Sequence, residues 1–200
     1  MAQARRSKEG KKTVSDDIIT VGGLDVASTR DYAAIVLGEV LNRESTEFDT
    51  LLRVKGLKIF EHQSYTQLEP KLTEIITSNY VVNCIQDATS EKAFAERLQI
   101  IGLPIEPLHI TGTVKEDGVS YVLQLRGAGK LGISTRGPFM GELRRQMAEQ
   151  ERTVKGNTIR YDHPSGRHDD AFTALWLMCR AAKPYMEELD FRIQGVGNTL

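Results

Sequence analysis

The chain has 200 residues, enough for one domain with a sizeable buried core. Its 26 basic and 27 acidic residues nearly cancel, which excludes a protein that holds nucleic acid through overall positive charge; such a contact has to use a local patch. No apolar run approaches the length of a membrane span, and the two cysteines, Cys84 and Cys179, lie in apolar segments and read as buried thiols of a reducing compartment, without the Cys/His spacing of a zinc site.

Arg5, Arg6, Lys8, Lys11 and Lys12 crowd the start with no apolar stretch behind them. Residues 1–16 are therefore expected to be a flexible basic tail or linker, not a secretory leader. Three apolar runs follow, Ile18–Val26, Tyr32–Val40 and Leu51–Phe60, the last two separated by the polar stretch Asn42–Asp49. Three strands on short polar links suggest an antiparallel meander. The pattern then changes. Ser64–Thr77 places Leu68, Leu72, Ile75 and Ile76 at helical spacing. Val81–Ile85 is a short strand ending before Asp87, Thr89 and Ser90 are candidate N-caps, and Glu91–Ile100 continues as a helix. Ile105–Ile110 is a further strand, so strands and helices now alternate as parallel pairing requires.

Gly118–Arg126 reads as helix, Lys130–Ser134 as a short edge strand and Pro138–Gln150 as a polar helix. Thr153–Tyr161 carries Lys-Gly-Asn between β-prone flanks and suggests a hairpin. Asp169–Ala182 is a helix with Ala171, Ala174, Leu175, Met178 and Ala182 on one stripe, expected to stop at Lys183-Pro184 and leave 185–200 as a loose tail. The sum is an α/β domain over 17–184, a mixed sheet with helices on its faces.

Function is concentrated in the acids. Asp25 and Asp87 each end a strand-like run, and Asp169 and Asp170 open the last helix. Singly, each has an ordinary explanation: a turn, a cap, or a favourable charge at a helix N-terminus. Jointly, carboxylates at two strand ends and one helix start are what an oxygen-ligand site for divalent metal needs. At 100° per residue, Asp170 lies about 110° from the centre of the buried stripe and Asp169 about 160°, so Asp170 is better placed to reach the sheet. Thr29 and Arg30 after Asp25 offer a hydroxyl and a guanidinium suited to phosphate oxygens.

The stretches Leu24-Asp25-Val26-Ala27-Ser28-Thr29-Arg30-Asp31-Tyr32, Gln86-Asp87-Ala88-Thr89 and Tyr161–Leu175 with its His168-Asp169-Asp170-Ala171 core resemble the nuclease domain of the large terminase subunit of tailed bacteriophages. That domain is an RNase H-like (RuvC-like) nuclease. The resemblance spans roughly residues 18–182. It implies a five-stranded mixed sheet and hydrolysis of double-stranded DNA with two divalent ions, Mg²⁺ or Mn²⁺. Asp25, Asp87 and Asp170 would be the catalytic metal ligands, Asp169 an additional or alternative one, and His168 and Thr29 neighbours of the metal. It also implies concatemeric viral DNA as substrate, a terminase ATPase domain, portal and small terminase subunit as partners, the host cell cytoplasm as location, and a monomer in isolation. The ATPase itself is not expected in this chain: Arg126-Gly127-Ala128-Gly129-Lys130-Leu131 lacks the leading glycine of a phosphate loop, and Leu131 stands where the metal-holding hydroxyl belongs.

Arg30, Lys92 and Arg167 flank the acids and are candidates for DNA phosphate contact, with Arg126 and Lys130 as a second basic segment; Arg144 and Arg145 read as solvated face, and Tyr32 and Trp176 mainly as packing. A Holliday-junction resolvase is the rival within the enzymes. A non-catalytic DNA- or portal-docking module of the same fold is the rival outside them. An actin-like phosphotransferase would need glycine-rich loops after its strands, whereas Gly22-Gly23 precedes Asp25.

Overall fold

Unbroken aliphatic runs build the first half of the sheet. In the computed structural model, which describes residues 18–26, 32–41, 51–155, 158–162, 164 and 168–196, β1 (Ile18–Asp25), β2 (Tyr32–Leu41) and β3 (Leu52–Glu61) form the antiparallel meander. The expected tail at 1–16, the link Asn42–Asp49, and the residues Thr29, Arg30, His163 and Arg167 lie outside the described residues. β1 pairs with β2 from Ile18↔Leu41 to Asp25↔Ala34, and β2 with β3 from Tyr32↔Glu61 to Val40↔Leu52, with a bulge between Leu37 and Gly38.

α1 (Tyr65–Ser78) starts at Ser64, whose backbone N–H donates to the Gln67 side chain at 3.0 Å. It leads to β4 (Asn83–Asp87), which lies parallel to β1. α2 (Lys92–Ile100) returns the chain to β5 (Ile105–Leu108), parallel to β4. α3 (Gly112–Gly127), β6 (Leu131–Gly132), α4 (Met140–Ala148), the hairpin β7 (Glu151–Lys155) with β8 (Thr158–Asp162), and α5 (Asp170–Val196) complete the chain. The sheet order is β5-β4-β1-β2-β3-β6.

Four expectations need correction. The sheet has six strands where five were expected, because β6 adds a two-residue parallel edge beside the start of β3. α3 begins six residues earlier than its apolar pattern suggests, at Gly112, since the Thr111 hydroxyl accepts the Val114 N–H at 3.3 Å and caps it. Thr89 does not cap α2; its N-cap is Glu91, and the Thr89 hydroxyl accepts the Ile110 N–H at 2.8 Å instead. α5 runs past Pro184 to Val196. Proline disfavours a helix interior, but Tyr185 packs on the core beyond it and Met186 is buried there, so tertiary contact outweighs the local rule.

The two faces of the sheet carry separate cores. Leu24, Ile35, Leu37, Phe60 and Cys84 pack under α1 and α2 with Leu72, Ile76, Phe94 and Leu98. Val21, Ala34, Val36, Val40 and Ile85 pack on the other face with α3, α4 and α5. α5 is the centre of that second layer: every residue from Ala171 to Cys179 is buried, so the helix is covered all round and not along one stripe. Close approach is made possible by glycine. A Cβ on Gly23 would stand 2.0 Å from the Ala174 carbonyl oxygen and 2.2 Å from the Met178 nitrogen. On the outer side, a Cβ on Gly118 of α3 would stand 2.3 Å from the Trp176 ring.

Candidate metal centre

Strand alternation aims the acids. Val21, Gly23 and Asp25 share the face of β1 that meets α5, as Ile85 and Asp87 share that face of β4. β1 and β4 are parallel neighbours with Leu24 opposite Gln86, so Asp25 and Asp87 end adjacent strands about 4.8 Å apart. α5 crosses this face with Ala174 on Gly23. One helical turn before Ala174 is Asp170, and two residues after Gly23 is Asp25. The geometry that seats the helix on glycine therefore brings its first residue over the strand ends.

The electrostatics agree. Burial first, then the carboxylates of Asp170, Asp87 and Asp169 in that order, hold the Asp25 carboxyl well above its ordinary range; Lys115 is the cation that works against them. Three acids, from the end of β4 and the start of α5, thus act on Asp25, Asp170 most strongly.

Each neighbour is held differently. Asp87 Oδ1 accepts the Thr89 N–H at 2.8 Å, the Thr89 hydroxyl accepts the Ile110 N–H at 2.8 Å, and Thr111 then caps α3. Lys115, in the first turns of that helix, donates from Nζ to Asp169 Oδ2 at 3.0 Å. Asp169 also accepts the Thr173 N–H on its carbonyl at 2.7 Å and so starts α5. Asp170 has a side chain 14% exposed, and its Oδ2 lies 3.7 Å from His168 Nδ1. The His168 ring stands edge-on to Tyr32 with centroids 4.5 Å apart, and Tyr32 in turn meets His62 at 5.4 Å. Tyr32 is therefore part of the rim of the site as well as packing, whereas Trp176 is wholly buried, as expected.

Among the described residues, no group of three or more His, Cys, Asp or Glu side chains is drawn together tightly enough to coordinate an ion as it stands. Like charges repel, Asp87 is turned onto Thr89, and Asp169 onto Lys115. The donor set still fits a hard divalent cation. It is all carboxylate oxygen, partly buried, on rigid strand ends and a helix start, with its negative charge opposed by Lys115.

Of the candidate phosphate-binding residues, the three that the structure describes are not gathered at the acids. Lys92 opens α2 at the same end of the sheet, exposed and paired with Glu96 at 3.5 Å. Arg126 and Lys130 precede β6, which pairs with the start of β3 at Leu52, whereas Glu61 at the other end of β3 lies on the acid side. They are thus at the opposite end of the sheet, roughly 30 Å along β3 at 3.3 Å per residue. Two residues escaped sequence reasoning. Lys115 looks like any surface charge. Gln146 of α4 reads as part of a polar helix but is buried, and its Oε1 accepts the Phe172 N–H at 3.1 Å, satisfying a donor in the first turn of α5. Its Nε2 donates to Glu142 Oε1 at 2.9 Å, and Glu142 is bound by Arg145. Beside this network a cavity of about 380 Å³ opens between Tyr32, Phe139, His168 and Asp170.

An antiparallel meander continued by two parallel strands, with acids ending β1 and β4 and heading the helix laid across them, defines an RNase H-like α/β fold. Within that class the chain shares the fold of large terminase nuclease domains. It is similar to the large terminase nuclease of thermophilic phage G20c with bound magnesium, with a TM-score of 0.67 at 16% identity over 82% of each chain. For the Thermus phage P74-26 large terminase nuclease domain the TM-score is 0.63 at 16% identity over 86% of each chain. For the HK97 bacteriophage large terminase it is 0.65 at 13% identity, over 85% of this chain and 40% of that one. No protein-family model and no curated protein matches the chain.

Proposed function

We propose that the chain is a metal-dependent endodeoxyribonuclease that cuts double-stranded, concatemeric genome DNA within a viral packaging terminase. The observation that carries this reading is the convergence of Asp170, Asp87 and Asp169 on the partly buried Asp25. A protein seldom concentrates carboxylates at such a point without a cation or catalytic use. The magnesium-bound G20c nuclease of the same fold supports it.

Asp25, Asp87 and Asp170 are the residues that would hold two Mg²⁺ or Mn²⁺ ions. Such ions supply an activated water and stabilise the leaving oxygen of a phosphodiester. The chain's own part is to hold three carboxylates on rigid elements and to keep the site at a sheet end open to a bulky substrate. His168 stands next to Asp170 on the exposed side, where the backbone of DNA would approach. Contacts made through phosphates alone carry no base information, so cutting is largely sequence-independent. Tethering to an ATPase domain would supply the effective concentration that a nearly neutral chain lacks. The portal and small terminase subunit would be further partners, and the host cell cytoplasm the place of action. The isolated chain would be a monomer.

The test is plasmid digestion by the purified chain in Mg²⁺, Mn²⁺ or EDTA beside Asp25→Asn. Cutting that needs metal and disappears in the variant is expected. A folded protein that binds DNA and cuts it in neither metal would instead be a docking module. Preference for four-way junctions over linear duplex would make it a resolvase.

A further inference from the structure

We propose that Lys115 is a resident counter-ion of the acid cluster, a positioning residue that keeps Asp169 out of the metal's coordination and lowers the affinity of the DNA-free protein for divalent cations. The inference rests on the reading of the acids as a metal site and goes beyond it, since nothing in that reading assigns a role to a cation of the chain itself.

Three observations carry it. The Lys115 ammonium lies 3.0 Å from Asp169 Oδ2, with the two side chains only 24% and 16% exposed. A pair this sheltered is screened far less than a surface pair. Second, Lys115 is placed there by the same hydrogen-bond chain that begins at the cluster: Asp87 fixes Thr89, Thr89 fixes Ile110, and Thr111 caps α3. Asp87 and Asp169 are thus tied to one another around Asp25, through the start of α3. Third, among the described residues Lys115 is a cation whose charge is felt at Asp25 against three carboxylates.

A lysine ammonium and a divalent ion compete for one acid cluster, because each raises the electrostatic energy of the other there. The positive charge of Lys115 repels an incoming cation and holds Asp169 Oδ2 at 3.0 Å. Asp169 and Asp170 are adjacent in sequence, but the pair divides their work. Asp170 faces the strand-end acids, and Asp169 is bound to α3.

The experiment is Mn²⁺ binding to the DNA-free chain, followed by calorimetry or paramagnetic resonance, with thermal melting alongside. Lys115→Gln is expected to bind Mn²⁺ on the order of tenfold more tightly than wild type, to melt lower without metal, and to approach wild type when saturated. Lys115→Arg, which keeps the charge, should restore wild-type affinity. Lys115→Gln combined with Asp169→Asn removes both members of the ion pair, keeps the net charge of the cluster, and so guards against a single variant that fails to fold; it should bind Mn²⁺ within about threefold of wild type. Equal or weaker binding by Lys115→Gln overturns the proposal, as does loss of binding in the double variant, which would make Asp169 a direct ligand. If wild type itself binds no Mn²⁺, the metal site fails and this inference with it; if wild type binds and the variants do not differ from it, only the inference fails.

Discussion

Replacing Gly23 with alanine tests the link between packing and chemistry most directly. The added Cβ would meet the Ala174 oxygen at 2.0 Å, the Met178 nitrogen at 2.2 Å and the Leu177 carbonyl carbon at 2.9 Å. All three are backbone atoms of α5, so no side chain can rotate away. For the oxygen contact to relax to 3.4 Å, where ordinary contact begins, the helix must retreat about 1.4 Å. Overpacking of this kind costs about 3 kcal/mol at its upper range. The lower entropy of an unfolded alanine offsets about 0.7 kcal/mol of that. The net loss of about 2 kcal/mol corresponds to a Tm drop of roughly 4–8 °C for a chain of this length. The larger effect is on cleavage. Asp170 sits one turn before Ala174 and moves with the helix, and a misplacement of about 1 Å can cost on the order of 100-fold in rate. Gly22→Ala is the control. Its Cβ points to the opposite face and meets Cys84 Sγ at 2.8 Å, so it should lower Tm while leaving α5 and cutting in place. Plasmid cleavage and melting of both variants decide the matter. Wild-type cutting by Gly23→Ala, or equal loss of cutting in both, would refute the argument.

Two further outcomes follow from the same geometry. Asp25→Asn should abolish cutting yet raise the Tm of the metal-free protein, because it removes a carboxylate opposed by burial and three like charges; a gain of about 1 kcal/mol would read as roughly 2–4 °C. The sign with pH is fixed by the same shift: the folded protein holds the Asp25 proton more tightly than the unfolded chain, so the contribution of Asp25 to stability without metal is fully present below the ordinary aspartate range and is lost as pH rises through the raised value. Asp25→Asn should flatten that decline, and identical melting-versus-pH curves would count against it. Gln146→Leu leaves the Phe172 N–H buried without an acceptor, costing about 1–3 kcal/mol and loosening the first turn of α5; its cleavage should fall while Gly22→Ala, at comparable stability, still cuts.

Much of this architecture was readable because the signals were local. β1, β2 and β3 are long aliphatic runs, and the parallel β4 and β5 alternate with helices of clear period. Asp25, Asp87 and Asp170 were legible as acids that end strands or open a helix, places where a carboxylate has little structural reason to cluster. What escaped depended on partners distant in sequence. Thr89 has the composition of a cap, but its hydroxyl is taken by Ile110, 21 residues on. Lys115 meets Asp169 across 54 residues. Pro184 reads as a helix end unless the packing of Tyr185 and Met186 is known. The direction of a side chain on a polar helix, as for Gln146, is likewise set by what the helix lies against.

The two cysteines have a use that chemistry in the site does not touch. Cys84 belongs to the core beneath α1 and α2, Cys179 to the core around α5, and both are wholly buried as free thiols. Burial pushes the Cys84 thiol up to about 12 and raises that of Cys179 as well, so neither forms a reactive thiolate while its layer stays closed. Each sulfur is thus a silent clock for one side of the sheet. The time at which each becomes alkylated records when that layer opens, and equal times would mean that the two halves of the molecule come apart as one.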